Sequence, residues 1–155
     1  MRNGARLGID VGRARIGVAR SDPSAILAVP VETVARSAEG DGDIRRILEI
    51  AEEYDAVELV VGNPLSMSGG ATASTADAVA FAERLVAAGA RVRLVDERLS
   101  TVSAQQALRA AGKSSKKQRP IVDQAAAVII LQHAIDAERA SGAAPGRTLT
   151  ADEGP

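Results

Sequence analysis

The sequence predicts one α/β domain: a mixed sheet of five strands, the first three antiparallel and joined as hairpins and the last two parallel, flanked by helices. Three features predict it. Short β-branched runs broken by glycine crowd the first third of the chain. Beyond them, apolar runs of strand length alternate with stretches of helical periodicity, an order that yields parallel strands joined by right-handed crossovers. Finally, 155 residues suffice for one substantial core but are few for a fold of two lobes.

Each element has a local cause. Arg6 to Gly12 and Arg15 to Ser21 read as two strands around the hairpin turn Gly12-Arg13-Ala14. Ile26 to Val34 is a third, which Pro30 weakens or assigns to a sheet edge, since proline has no N–H for a second neighbour. Asp41-Gly42-Asp43 opens a helix in which Ile44, Ile47, Leu48 and Ala51 recur on one face, ending near Tyr54. Val57 to Val61 is a buried strand closed by Gly62-Asn63-Pro64, and the small, polar stretch Leu65 to Ala73 predicts a mobile loop. Thr75 to Ala88 predicts a second helix stopped by Gly89, and Val92 to Val95 the fifth strand. Ser100 or Thr101 caps a further helix running to Ala111, with Gly112 as its terminal glycine, and Pro120 opens the last helix. From Ala140 onward periodicity vanishes, so the domain is expected over 1–139 and a disordered tail over 140–155.

Composition narrows the function. Apolar residues at 46% and charged residues at 25% describe a globular protein that folds in water. Aromatics are only Tyr54 and Phe81, which gives single-stranded bases no stacking platform. The absence of cysteine removes disulfides, thiolate zinc sites and cysteine nucleophiles together, and the lone His133 forms no cluster. Any metal would therefore be held by oxygen, which favours Mg²⁺ or Mn²⁺. A net charge of −1 means that nucleic-acid binding has to come from local basic patches. The start MRNGARLGID has no signal-peptide core, and no apolar run is long enough for a membrane span, so a cytoplasmic location is expected.

Three acids stand where burial would isolate a charge. Asp10 ends the apolar run of the first strand. At the carboxyl end of the fifth strand, Asp96 and Glu97 alternate in direction, so only one of them can meet Asp10. Asp123 shares a helical stripe with Ala127, Ile130 and Ala134, so its carboxylate is expected to face the sheet and to need a cationic partner there. Carboxylates on separate elements can hold cations for phosphodiester hydrolysis, one activating water and one stabilising the leaving oxygen. Cations lie nearby: Arg13 and Arg15 at the first turn, Arg98 after the acids of the fifth strand, and Lys113, Lys116, Lys117 and Arg119 before the Asp123 helix, a stretch able to clamp a phosphate backbone. His133, ten residues past Asp123, is too far along the helix to share a metal with it. Ser66, Ser68 and Ser74 have no base partner in sight.

Three hairpin strands followed by two strands with crossovers is the element order of an RNase H-like domain. The segments GIDVGRARIGVARSD (8–22), VVGNPLSMSGG (60–70), DERLST (96–101) and VDQAAAVIIL (122–131) together resemble the YqgF family, also called RuvX, of bacterial RNase H-like nucleases. The resemblance covers nearly the whole chain up to about residue 139, with its motifs in order. It implies a fold related to the RuvC resolvases and places Asp10, Glu97 and Asp123 on the family's acidic positions, which gives Glu97 preference over Asp96. Members are assigned as Holliday junction resolvases or as nucleases that mature the 5′ end of pre-16S ribosomal RNA. Two departures stand out: Ser66-Met67-Ser68 occupies a loop where relatives often carry an acid, and Ala126 and Ala127 stand where RuvC-type sites have a fourth.

The expected function is that of a Mg²⁺- or Mn²⁺-dependent endonuclease acting on pre-rRNA or branched DNA, with a monomer suited to RNA trimming and a homodimer to junctions. Two other readings are weighed against it. One is an idle RNA-binding ribosome assembly factor that uses the same cations. The other is an ATP-binding protein of the actin and sugar-kinase type, which needs a second lobe that 155 residues do not supply.

Overall fold

The computed structural model describes residues 2–64, 72–96 and 115–149, with the backbone alone over 115–123. Its elements in chain order are β1 (Arg6–Val11), β2 (Arg15–Ser21), β3 (Ala28–Ala35), α1 (Gly42–Glu53), β4 (Glu58–Asn63), α2 (Ala73–Ala87), β5 (Val92–Asp96), α3 (Ser115–Ser141) and β6 (Arg147–Leu149). The strands form one mixed sheet in the order β3-β2-β1-β4-β5-β6. β1, β2 and β3 pair antiparallel as hairpins, while β4 joins β1 and β5 joins β4 in parallel.

The sheet separates two apolar layers. On one face Leu7, Ile9, Ile16, Val18, Leu59, Val61, Val92 and Leu94 pack against Ile44, Ile47 and Ile50 of α1 and Phe81, Ala82 and Leu85 of α2. On the other, Ala19, Val60 and Val95 meet Ala127, Ile130, Leu131, Ala134 and Ile135 of α3. The strand residues under α3 are small, and Gly8 is the extreme case. A Cβ there would stand 2.6 Å from the Ala127 carbonyl oxygen and 2.7 Å from Leu131 Cβ, so glycine is what lets helix backbone rest on β1.

Pro30 does lie in an edge strand, opposite Ala19. There the register jumps from Glu32 opposite Val18 to Pro30 opposite Ala19, so β3 carries one extra residue, a bulge that accommodates the missing N–H. β3 begins two residues later than the apolar run suggests. Asp22 explains this, because its carboxylate accepts the N–H groups of Ser24, Ile26 and Leu27 and offers those amides an alternative to the ladder. The last helix begins at Ser115, so Pro120 falls in its second turn and not at its start. Proline's fixed φ suits a helix, and one backbone bond is the cost.

The sheet has six strands where the sequence predicts five. Arg147–Leu149, within the stretch expected to be structureless, adds antiparallel to β5. Three residues are too few to show a period. Their entry depends on Gly146, which sits at φ +72°, and a Cβ there would collide with the Leu94 carbonyl. Of the loop expected over Leu65 to Ala73, residues 65–71 lie outside the described residues, while Thr72 and Ala73 are the cap and first residue of α2; the helix expected from Ser100 or Thr101 to Ala111 lies outside them entirely. Among the described residues no helix is long and apolar enough to cross a membrane.

Candidate active site

Strand alternation turns Leu7 and Ile9 into the core under α1 and α2, which leaves Gly8 and Asp10 on the α3 face. Asp10 is only partly buried. It pairs across the ladder with Gly17, and Gly17 with Thr33, so these three residues form one row pointing to one face. Above that row, Gln124 of α3 donates from Nε2 to Thr33 Oγ1 at 2.9 Å.

α3 runs opposite in direction to β1. Its far half meets the start of the strand, where Arg6 Nη2 donates to Glu138 Oε2 at 3.1 Å, and its middle rests on Gly8 at Ala127 and Leu131. From Gly8 to Asp10 the strand advances about 7 Å, and one helical turn covers about 5.4 Å. One turn back from Ala127 therefore takes the α3 backbone at Asp123 from Gly8 towards the carboxyl end of β1, where Asp10 stands. The stripe expected for Asp123 is buried at Ala127, Ile130 and Ala134, while its own side chain lies outside the described residues.

Parallel pairing brings the ends of β4 and β5 to the same sheet edge, with Gly62 opposite Val95 and Asn63 opposite Asp96. Here the structure gives Asp96 a direction that the sequence leaves open. Val95 packs in the layer beneath α3, the face that carries Asp10, so alternation directs the exposed Asp96 to the opposite face. Glu97 lies outside the described residues, and so do Arg98 and Lys113. Lys116, Lys117 and Arg119 fall in the first turns of α3, placed by backbone only. Arg13 is exposed at the β1–β2 turn, Arg15 partly buried at the start of β2, and His133 exposed on α3.

No group of three metal-ligating side chains occurs among the described residues, of which Asp10 is the one acid of the predicted set whose side chain is included. The one described carboxylate of the set, Asp10, is a hard oxygen donor at a strand's carboxyl end, and the sequence contains no cysteine.

Sequence reasoning missed two contacts that shape this edge. One is the Gln124–Thr33 bond, invisible because register sets it. The other is Arg36, just past β3, whose Nη1 donates to the Gly12 carbonyl at 2.8 Å and to Asp77 of α2 at 2.9 Å. An arginine after an apolar strand gives no hint of a partner 41 residues away.

Comparison with known proteins completes the picture. A relative from Clavibacter sepedonicus, named "Putative pre-16S rRNA nuclease", is 66% identical over 94% of this chain and 91% of its own length. One of the same name from Leifsonia xyli subsp. xyli is 62% identical over the whole of both chains. A solved structure, T. thermophilus RuvC in complex with Holliday junction substrate, superposes with a TM-score of 0.56 at 21% identity over 92% of this chain and 99% of that one, which shows a shared fold. Its RuvC-like, RNase H-type architecture is therefore the one the order of strands predicts. With a family profile matched from residue 4 to residue 137, the chain belongs to RuvX, the Holliday junction resolvase family, and so to a family of nucleases.

Proposed function

We propose that the protein is a metal-dependent endonuclease that hydrolyses phosphodiester bonds in structured nucleic acid, processing the 5′ end of pre-16S rRNA or resolving four-way DNA junctions. The observation that carries this reading is the seating of α3 over the row Asp10–Gly17–Thr33 through Gln124, next to Asp123, which supports a meeting of acids at the carboxyl edge of the sheet. The names of the close relatives support the RNA substrate, and the family description supports the junction.

In this reading Asp10, Glu97 and Asp123 would hold Mg²⁺ or Mn²⁺ through carboxylate oxygens. A cation so bound lowers the pKa of coordinated water and offsets charge on the leaving oxygen. Asp10, mounted on a strand paired on both sides, gives the rigid reference for the other two. Arg13, Arg15 and Arg98, with Lys113, Lys116, Lys117 and Arg119, contact the phosphate backbone and set its register without reading bases. Water adds to phosphorus as the bond to the 3′ oxygen breaks, and the proton lost by water is balanced by the one that oxygen gains. The products are a 3′-hydroxyl and a 5′-phosphate.

Purified protein given pre-rRNA leader fragments and four-way junctions with Mg²⁺ or Mn²⁺ tests this directly. Wild type is expected to cut at least one of them and Asp10→Asn to cut neither. Equal cutting by the two proteins overturns the catalytic assignment.

A further inference from the structure

The turn that follows Asp10 is gripped from behind by a single residue. Arg36 donates its backbone N–H to the Ala14 carbonyl at 2.9 Å and its Nη1 to the Gly12 carbonyl at 2.8 Å, so it holds the carbonyls on both sides of Arg13. The same guanidinium meets the Asp77 carboxylate through Nη1 at 2.9 Å and Nη2 at 3.1 Å. It also lies 5.1 Å from the centre of the Phe81 ring, with Nε 3.8 Å from Asp43. Three elements converge on it: the β1–β2 turn, α1 and α2.

Such a set of contacts requires a planar fork, which can form two bonds to a carboxylate while a third reaches a carbonyl; a lysine ammonium is a point donor on a flexible stem. The pairing fixes the charges too. Asp77 is held below the usual carboxylate range, mainly by the bonds from Arg36 and further by the attraction of Arg13. With its fork engaged by Asp77 and Gly12, Arg36 is poorly placed to bind a substrate phosphate. Its bonds act instead on backbone, two residues from Asp10.

The chain of contacts continues. α2 is anchored in turn to the end of β4, because Thr75 Oγ1 donates to the Pro64 carbonyl at 2.7 Å while Thr72 and Thr75 close a capping box. The carboxyl ends of β1 and β4 are thus linked behind the sheet through Arg36, Asp77 and Thr75.

We propose that Arg36 is a positioning residue of the nuclease site, whose fork to Gly12 and Asp77 fixes where Asp10 stands and where Arg13 emerges. This rests on the nuclease reading above. The test compares Arg36→Lys, Arg36→Gln and Asp77→Asn with wild type in the full chain, by kcat and KM on a cleaved substrate, thermal melting, and amide exchange at the turn. In Arg36→Lys, kcat is expected to fall about 10- to 100-fold, as for residues that orient a site's ligands. KM should hold near its wild-type value, and Asp77→Asn should shift kcat the same way by less. The Gly12 N–H, which bonds the Arg15 carbonyl at 2.9 Å, should exchange faster while the amides of β4 and β5 keep their protection.

Unchanged kcat in Arg36→Lys overturns the proposal. So does a rise in KM alone, which marks a substrate contact, or a loss of kcat no larger than the loss of folded protein. If wild type cuts nothing, the nuclease reading fails by itself, and the exchange data then decide the clamp: unaltered Gly12 protection in Arg36→Lys refutes it.

Discussion

Gln124 and Thr33 join the last helix to the third strand through a 2.9 Å hydrogen bond, and Thr33 shares a cross-strand row with Asp10 across Gly17. Because the row is rigid and the bond is polar and partly buried, it fixes how far α3 stands from the sheet beside Asp123. Removing either partner should cost about 1 kcal/mol of stability. Urea unfolding of Gln124→Ala, Thr33→Val and the double variant is expected to give a combined loss smaller than the sum of the singles, since the second change removes a group that has already lost this bond. Strict additivity would mean that the two side chains do not interact in solution.

At the opposite end of the strands, the buried Arg6, Glu58 and Glu138 form a cluster of charges that the exposed Arg2 covers from the solvent side. Glu138 accepts from Arg2 Nη2 at 2.6 Å and from the buried Arg6 Nη2 at 3.1 Å, while Glu58 binds Arg2 and Arg93. The bonds from Arg2 hold Glu138 down from 4.5 to about 2. Glu58 is lowered as well, the pull of Arg2 and Arg93 outweighing the upward push of burial. Glu138→Gln leaves the Arg6 guanidinium buried without its counter-charge, so a loss of about 3 kcal/mol at pH 7 is expected.

The sign of its pH dependence follows from the same shift. A depressed carboxylate adds stability that is complete above its ordinary value of 4.5 and disappears as pH falls towards about 2. Wild type and Glu138→Gln should therefore converge on acidification, with the gap in unfolding free energy narrower at pH 3 than at pH 7. A gap of constant width would place the effect in packing rather than charge.

The elements legible in the sequence are those with a period or a punctuating residue. Ile44, Ile47 and Ala51 marked α1, Gly89 the end of α2, and Pro30 the sheet edge, and each of these signals is local. What stayed hidden depends on register or on distant partners. Glu138 lies 132 residues from Arg6, and no pattern in either neighbourhood announces the pair. β6 escaped because three residues carry no alternation. At the site, the stripe of α3 was legible because helical phase is a property of sequence, whereas the direction of Asp96 needed the face on which Val95 packs.

The direction of Asp96 leads to the sharpest test of the site. Val95 lies in the layer under α3 and Asp10 shares that face, so Asp96, next along the strand, points away from it. Exchanging the charge of Asp96 for an amide leaves the α3 face untouched, whereas the same exchange at Glu97 removes a proposed ligand. Asp96→Asn should keep kcat close to wild type, while Glu97→Gln should lose about two orders of magnitude or more, the scale seen when a preorganised electrostatic contact is deleted. Both variants are isosteric, so cleavage rates read alongside thermal melting separate chemistry from folding. Equal losses in the two, or a loss confined to Asp96→Asn, would show that β5 turns at its end and presents the other acid to Asp10.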